Sequence, residues 1–158
     1  MLRQASLAYA CPSSQTLGVA MSYSFFESSS VLPEELGVLL AAVGWGDHSL
    51  EQLERSIRAY TFIAHARTNA GALIGYVSAF SDGAASTMLG ELIVHPEHQR
   101  RRVAAELLAR VEARFPGVPL YIKALGEAKH FFLACGYEVP RTEMTVLFKK
   151  PTTATFAS

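Results

Sequence analysis

The part of this sequence best suited to chemistry is a basic run that follows an apolar segment. Residues 92–94 are typical of the end of a buried strand, Pro96 ends it, and arginines occupy positions 100–102. Apolar spacing then predicts an amphipathic helix over residues 101–115. A helix N-terminus has unpaired N–H groups and about half a positive charge, so arginines are unfavourable there. A phosphate would accept hydrogen bonds from both groups, which favours an anion site. Arginines that extend into water are the alternative.

The composition describes a compact chain with no general affinity for nucleic acid. The 158 residues include 14 Lys+Arg and 14 Asp+Glu, which gives zero formal net charge, and 50% are hydrophobic. This apolar share excludes a disordered chain. Without a net positive field, a basic nucleic-acid binder is disfavoured, including one that binds through the arginine run. Little repulsion between copies favours self-association, so we expect a homodimer.

Cysteine content and length bound the setting and the domain organisation. Cys11 and Cys135 allow one bridge and have no metal-ligand spacing, so no metal site is expected. A reducing cytoplasm is the default for such a chain, and no apolar run reaches the roughly 18–20 residues of a membrane span. We expect a loose N-terminal segment (1–18), one domain (19–150) and a C-terminal tail (151–158).

Periodicity, caps and turn residues predict the elements that position the basic run. Ser49 and Gln52 form a capping box, Asn69 and Gly71 mark a hairpin turn, and Gly136 suits a left-handed helix end. This order predicts an α+β fold, with a mixed, mostly antiparallel central sheet flanked by helices. The predicted helices cover residues 33–43, 50–57, 101–115 and 127–134, and the predicted strands cover residues 21–26, 60–67, 72–80, 87–94, 120–122 and 142–148.

The motif around the basic run resembles the acyl-CoA signature of the GNAT superfamily of N-acetyltransferases. That signature is Val-x-Pro-x-x-(Gln/Arg)-x-x-Gly-x-(Gly/Ala), and residues 94–104 read VHPEHQRRRVA. Further similar motifs follow the family's order, and the resemblance extends over about residues 21–150. It implies the acyl-CoA N-acyltransferase fold, acetyl-CoA as co-substrate and a small primary amine as acceptor. The further motifs lie at residues 43–45, 73–75, 81–83 and 128–137.

The resemblance also implies where the cofactor binds. The strand over residues 87–94 would diverge from residues 120–122, and the pantetheine arm would pair with backbone groups in the gap. Loop N–H groups would hold the pyrophosphate, and the Val94 N–H would stabilise charge on the thioester oxygen. The cofactor-binding residues so implied are Leu92, Ile93, Val94, Gln99, Arg100, Arg101, Arg102, Val103, Ala104 and Ala105.

Glu91 is the first candidate for the base that removes the ammonium proton, and Val94 completes the expected catalytic pair. A carboxylate in an apolar cleft takes up a proton near neutrality. A solvated strand-end carboxylate is the alternative. His95 is a second candidate, as a proton relay, although turn histidines are more often plain surface residues. Trp45 either lines an acceptor pocket or packs at a helix end.

Three residues depart from the family pattern. Arg102 replaces a glycine that lets the backbone approach the pyrophosphate; its side chain either blocks the cofactor or points outward and adds an electrostatic contact. Phe132 replaces the tyrosine that protonates the departing thiolate, so water or another group must supply that proton. Leu125 replaces a frequent asparagine. These departures motivate an alternative function, a CoA-binding module with weak or absent catalysis.

Overall fold

The computed structural model describes residues 22–147 and 149. Within this range, five strands form one sheet in chain order, antiparallel throughout except for the parallel pair β4–β5. The predicted mixed, mostly antiparallel α+β fold is therefore confirmed. The strands are β1 (Tyr23–Phe26), β2 (Phe62–Thr68), β3 (Leu73–Ser81), β4 (Thr87–Val94) and β5 (Leu120–Tyr121).

Helices cover both faces of this sheet. The first two pack on one face, where Tyr76 and Ile93 are buried against them, and the last two pack on the other, against residues such as Ala64 and Val77. The predicted capping box is confirmed, because the Ser49 hydroxyl accepts from the Gln52 N–H at 3.2 Å. The helices are α1 (Pro33–Ala42), α2 (Leu50–Ala59), α3 (Val103–Arg114) and α4 (Ala128–Ala134), and a single 3-10 turn covers Pro96–His98.

The start of α3 packs very closely on the sheet at Gly75. A Cβ on this glycine would lie 2.9 Å from Val103 Cγ1, 3.0 Å from Leu107 Cδ1 and 3.3 Å from Ala66 Cβ. Atoms at such distances repel one another, and a close-packed core leaves little room for the neighbours to move away. The lack of a side chain at position 75 therefore sets how close α3, and the loop before it, lie to the sheet.

The last predicted strand and the start of the long helix differ from the structure. The described residues 142–147 form no strand although their apolar residues alternate, and Met144 and Leu147 are 61% and 89% exposed. A strand needs a paired neighbour to be stable, and none lies beside this segment among the described residues. The long helix begins at Val103, two residues later than predicted, because Arg102 has a φ of 67°, which is not helical.

Several predictions lie outside the described residues. These are the loose segment over residues 1–18, the tail over residues 151–158, Met21 at the start of the first strand and Phe148 at the end of the last one. The proposed limits of the domain, residues 19 and 150, stay predictions. In the part of the chain that the structure covers, no helix combines the length and apolarity required to cross a membrane.

Candidate active site

A gap opens along one edge of β4. The parallel pairing with β5 comprises only Thr87 with Leu120 and Met88 with Tyr121, so residues 89–94 have no neighbour on that side among the described strands. On the other side, the His95 N–H donates to the Ile74 carbonyl at 2.9 Å. Because successive residues of a strand direct their N–H groups to opposite sides, the N–H of Val94 faces the gap.

The loop after β4 is held against that strand by Gln99. Its side-chain Nε2 donates to the Val94 carbonyl oxygen at 3.0 Å, and its backbone N–H donates to the Pro96 carbonyl at 3.3 Å. The Gln99 N–H is thus already used within the protein, and the donors available to a ligand begin at Arg100. Among the implied cofactor residues, Gln99 is placed to shape the loop with its side chain.

The arginines lie in this loop, ahead of the helix. Arg100 and Arg102 have φ values of 58° and 67°, a left-handed conformation that is uncommon outside glycine and costs on the order of 1 kcal/mol. Arg102 thus follows the backbone path that the family's glycine would take easily. Its side chain is exposed, as are those of Arg100 and Arg101.

Free N–H groups and positive charge meet at the start of α3. The first hydrogen bond into the helix runs from the Glu106 N–H to the Arg102 carbonyl at 3.0 Å. The N–H groups of Val103, Ala104 and Ala105 therefore have no acceptor within the helix. With three exposed guanidinium groups beside them, these donors suit a phosphate-bearing ligand, as the conflict of charges in the sequence indicated.

Glu91 lies at a β-bulge on the opposite side of β4. Val77 of β3 faces Leu92 and Ala79 faces Leu89, so Gly90 and Glu91 together oppose the single residue Ser78. A bulge of this kind redirects the side chain that follows it. The result is that Glu91 projects toward α1 and α2, where it lines a cavity.

Two hydroxyl groups hold the Glu91 carboxylate. The Tyr60 hydroxyl donates to Oε1 at 2.8 Å, and the Ser78 hydroxyl donates to Oε2 while it accepts the Glu91 N–H at 3.0 Å. A Cβ on Gly90 would lie 2.5 Å from Ser78 Oγ and 2.6 Å from Tyr60 Cε1. The glycine is therefore required for the close approach of both donors to the carboxylate.

The cavity beside Glu91 measures about 310 Å³, and α1, α2, β3 and β4 enclose it. Trp45 forms part of its wall and is still 45% exposed, so of the two predicted roles for this residue the structure supports the lining of a pocket. Among the described residues of the wall, Glu91 is the only carboxylate. The wall comprises Leu36, Leu40, Trp45, His48, Gln52, Leu53, Ser56, Tyr76 and Glu91.

Two neutral tyrosines lie near the carboxylate, and only Tyr60 donates a hydrogen bond to it. Burial, together with the negative charge of Glu91, raises the pKa of Tyr60 to about 12. Burial raises the pKa of Tyr76 even further above its usual range, and Glu91 contributes again. Both phenols therefore stay protonated at neutral pH. Tyr76 is 1% exposed, and its hydroxyl has no hydrogen-bond partner among the described residues.

His95 is not brought to Glu91. Its Nδ1 accepts the Glu97 N–H at 3.3 Å in the turn after β4, and it is absent from the described wall of the cavity. His95, Glu97 and His98 do place possible ligand atoms within 4.8 Å of one another. Burial and the charge of Arg101 lower the pKa of His98.

The other departures from the family pattern lie away from the cavity wall. Phe132 is buried in the core on the α3 side, with its ring 5.9 Å from the ring of Tyr137 in an edge-to-face contact. Leu125 is exposed in the segment before α4. The structure therefore places no proton donor at position 132.

Sequence reasoning missed Tyr60, Ser78 and Tyr76. These residues come from the end of α2 and from β3, and no spacing in the chain connects them to Glu91. One available signal was Gly90, since a glycine within a strand often marks a bulge or a close backbone approach.

Comparison with known proteins agrees with this fold and this arrangement. The model of the acetyltransferase (GNAT) domain family matches residues 58–139, which run from the end of α2 through α4. That match covers more than half of the chain. The chain therefore belongs to the GNAT family of acetyltransferases, and it is an N-acetyltransferase. No curated protein matches it.

Solved structures with the same fold cover nearly all of the described chain. A GNAT-family acetyltransferase from Streptococcus pneumoniae is 24% identical, with a TM-score of 0.66, over 82% of this chain and 100% of that one. One from Staphylococcus aureus is 17% identical, with a TM-score of 0.64, over 82% and 94%. An aminoglycoside 6′-N-acetyltransferase from Acinetobacter baumannii is 22% identical, with a TM-score of 0.62, over 83% and 99%. At these identities the likeness concerns the fold.

Proposed function

We propose that this chain transfers the acetyl group of acetyl-CoA to a small primary amine by direct attack of the amine on the thioester. The observation that carries the proposal is the placement of two groups on one strand. The Glu91 carboxylate lines the cavity between α1, α2 and the sheet, and the Val94 N–H faces the β4–β5 gap. An amine and a thioester held on these two sides could meet at β4, and such positioning supplies much of the rate gain in bimolecular transfers.

The cofactor half of the site would use backbone groups. The edge of β4 at Leu92, Ile93 and Val94 would pair with the pantetheine arm. The N–H groups from Arg100 through Ala105 would bind the pyrophosphate, with the guanidinium groups of residues 100–102 nearby. Gln99 would act as a positioning residue through its bond to the Val94 carbonyl. Acetyl-CoA supplies the activated acetyl group; the chain supplies the donors that orient it.

The acceptor half would use Glu91 as the base. The hydrogen bonds from Tyr60 and Ser78 fix the direction of its carboxylate group, while each oxygen keeps a second lone pair for the substrate. Glu91 would accept a proton from the ammonium group, and the freed amine would form the new C–N bond. The Val94 N–H would stabilise the charge on the carbonyl oxygen, a contribution of about 3 kcal/mol in comparable acyl transfers.

The leaving thiolate needs no acid from the chain. A thiol with a pKa of about 8.5 leaves readily as the thiolate, and Phe132 has no proton to give. The transfer breaks the C–S bond and forms the amide, and the nitrogen loses two protons on the way. Glu91 takes up the first and passes it to solvent; the second leaves the nitrogen after the attack, and the departing thiolate takes up one proton from water, so that one net proton is released. We also place the protein in the cytoplasm, which its two cysteines favour.

A homodimer is the proposed assembly, because zero net charge and exposed apolar residues near the C-terminal end, Val139, Met144, Val146 and Leu147, favour association. Analytical ultracentrifugation of the whole chain should give the mass of two copies. A single-copy mass across the micromolar range would contradict this assembly.

Two measurements test the proposed reaction. Calorimetric titration should detect acetyl-CoA binding, and thiol release from acetyl-CoA over a panel of primary amines should identify acceptors, with the N-acetyl product verified by mass spectrometry. Acetyl-CoA binding without thiol release on any amine would support the alternative, a CoA-binding module. No acetyl-CoA binding would contradict both functions.

A further inference from the structure

The hydroxyl of Tyr76 is buried and has no partner within the fold. It lies on the face of β3 that packs against α1 and α2, it is 1% exposed, and its oxygen forms no hydrogen bond with a described residue. A buried polar group without a partner destabilises the protein that contains it. A phenylalanine would fill the same space without that cost. Because Tyr76 lines the cavity beside Glu91, a bound molecule is the natural partner for this hydroxyl.

The wall of the cavity combines one carboxylate with several apolar side chains. Glu91 and Tyr76 are contributed by the sheet, and Leu36, Leu40 and Leu53 come from α1 and α2. Trp45 is partly exposed, and the remaining wall residues are polar, namely His48, Gln52 and Ser56. Glu91 is the one carboxylate on the described wall. The cavity therefore offers a counterion for a single ammonium group and an apolar surface for the body attached to it.

We propose that the acceptor is a compact monoamine with an aromatic or branched apolar body, bound with its nitrogen between Glu91 and Tyr76. The neutral Tyr76 oxygen accepts a hydrogen bond from the ammonium group, and the body packs on the leucines and Trp45. This inference rests on the proposed function, since it names the substrate class of the same cavity. It adds Tyr76 as a substrate-binding residue.

The same wall disfavours acceptors with several positive charges. A second ammonium group in the cavity would find no second carboxylate on the described wall, only apolar side chains and the polar groups of His48, Gln52 and Ser56. Burial of an unpaired charge is strongly unfavourable. The volume of about 310 Å³ lies at the small end of the usual range for ligand pockets, about 300–1,000 Å³. Although the fold is shared with an aminoglycoside acetyltransferase, the expected acceptor is smaller and carries one charge.

The first test compares amines that differ in charge and size. We expect phenethylamine to bind and to be acetylated with a kcat/KM at least about tenfold above that of putrescine or kanamycin. Equal or better use of putrescine or kanamycin would overturn the monoamine class and leave the proposed function intact. Calorimetry of phenethylamine binding separates the monoamine class from the proposed function. Binding without any thiol release would contradict the proposed function and would still support the class of amine that the cavity binds.

The second test removes only the hydroxyl group of Tyr76. Tyr76→Phe should weaken phenethylamine binding by about tenfold, and the unfolding temperature of the ligand-free protein should stay equal or rise. A role confined to the fold would lower that temperature and leave the affinity of the amine unchanged. Unchanged affinity for phenethylamine would overturn the proposal for Tyr76.

The third test adds a second carboxylate to the cavity. Gln52→Glu keeps the oxygen that accepts the Ser49 N–H at the start of α2 and places a new negative charge on the wall. It should raise the kcat/KM of putrescine relative to phenethylamine by at least about fivefold. Ala70→Glu, in the exposed turn between β2 and β3, adds the same charge outside the cavity and should have no such effect. An equal shift in both variants, or none in Gln52→Glu, would contradict the assignment of the cavity to the acceptor.

Discussion

The loop over residues 99–102, called the basic loop from here on, and the cavity beside Glu91 lie on either side of β4 and are built on different principles. The basic loop is contiguous in the chain, and the donors that it and the start of α3 offer are backbone N–H groups with exposed arginines around them. The cavity draws side chains from α1, α2, β3 and β4. A site made from backbone donors depends on the local path of the chain, whereas a site made from side chains depends on packing between distant elements. The loop should therefore tolerate changes in residue type far better than the cavity does.

Each region also carries a local cost. In the loop, Arg100 and Arg102 adopt left-handed conformations. In the cavity, the Tyr76 hydroxyl is buried without a partner. Such destabilising features are concentrated at functional sites, because residues that serve only the stability of the fold would avoid them. The following variants test whether the two regions differ as this comparison requires.

The largest effect is expected from Glu91→Gln. The amide keeps the shape of the side chain but cannot take up the ammonium proton, so kcat should fall about 100- to 1,000-fold. Acetyl-CoA affinity, measured by calorimetry, should stay within about twofold, because the loop is untouched. Glu54→Gln, which removes an exposed carboxylate paired with Arg58 on α2, is the matched control. A comparable loss in both variants would contradict the role of Glu91.

Two glycines distinguish the faces of the sheet. Gly90→Ala would drive a methyl group into Ser78 and Tyr60, so the Glu91 carboxylate would lose its donors and kcat should fall roughly tenfold.

Gly75→Ala would press on Val103 and Leu107 at the start of α3 and should lower the unfolding free energy by about 1–3 kcal/mol. We expect Gly75→Ala to weaken acetyl-CoA binding more than amine binding, with the reverse for Gly90→Ala. Calorimetry would measure acetyl-CoA affinity and steady-state kinetics would measure use of the amine in both variants. A greater loss of amine use in Gly75→Ala, or of acetyl-CoA affinity in Gly90→Ala, would contradict this assignment of the two faces.

The α1–α2 face of the sheet should show its own pH dependence through His65. Burial and the charge of Arg67 lower the pKa of His65 to about 4, so the unfolded chain binds more protons between pH 4 and the ordinary histidine value of about 6.5. The stability from this group is present above that value and is lost as the pH falls toward 4. The loss should be on the order of 3 kcal/mol, because each pKa unit corresponds to about 1.4 kcal/mol. Urea denaturation between pH 7 and pH 4 should show a shallower decline for His65→Leu, and parallel declines would contradict this account.

The smallest effects are expected from Arg102 in the loop. Arg102→Gly relieves the left-handed conformation but adds freedom to the unfolded chain, so the unfolding free energy should change by less than about 1 kcal/mol. Loss of one exposed charge should weaken acetyl-CoA binding about two- to fivefold and make it less sensitive to salt. Arg102→Ala loses the charge and keeps the strain, so it should match the affinity of Arg102→Gly and be less stable. Tighter binding by Arg102→Gly would instead mean that the arginine obstructs the cofactor.

Much of the fold and of the loop was predictable from local patterns. The Ser49–Gln52 capping box, the turn with Gly71 and the strand that ends before Pro96 act over a few residues, and the structure confirms them. The placement of arginines beside unpaired N–H groups over residues 100–105 was predictable for the same reason. These charges and N–H groups are adjacent in the chain. The late start of α3 was missed because left-handed arginines, here Arg100 and Arg102, are unusual.

The failures concern contacts between distant elements. The alternation over residues 142–148 predicted a strand, but pairing is a property of the neighbouring chain and not of the segment itself. Glu91 was a candidate base on its position alone, while its orientation depends on a bulge opposite Ser78 and a hydroxyl from Tyr60, 31 residues away.

The sequence by itself thus determined the α+β class, the order of most elements and the basic loop, because these follow from periodicity, capping and charge at short range. The tertiary structure decided which side chains meet at Glu91, that Trp45 lines a cavity, and that Tyr76 has a buried hydroxyl without a partner. Those outcomes depend on sheet register and on the packing of α1 and α2 over it, where a shift of one residue would turn each side chain to the opposite face.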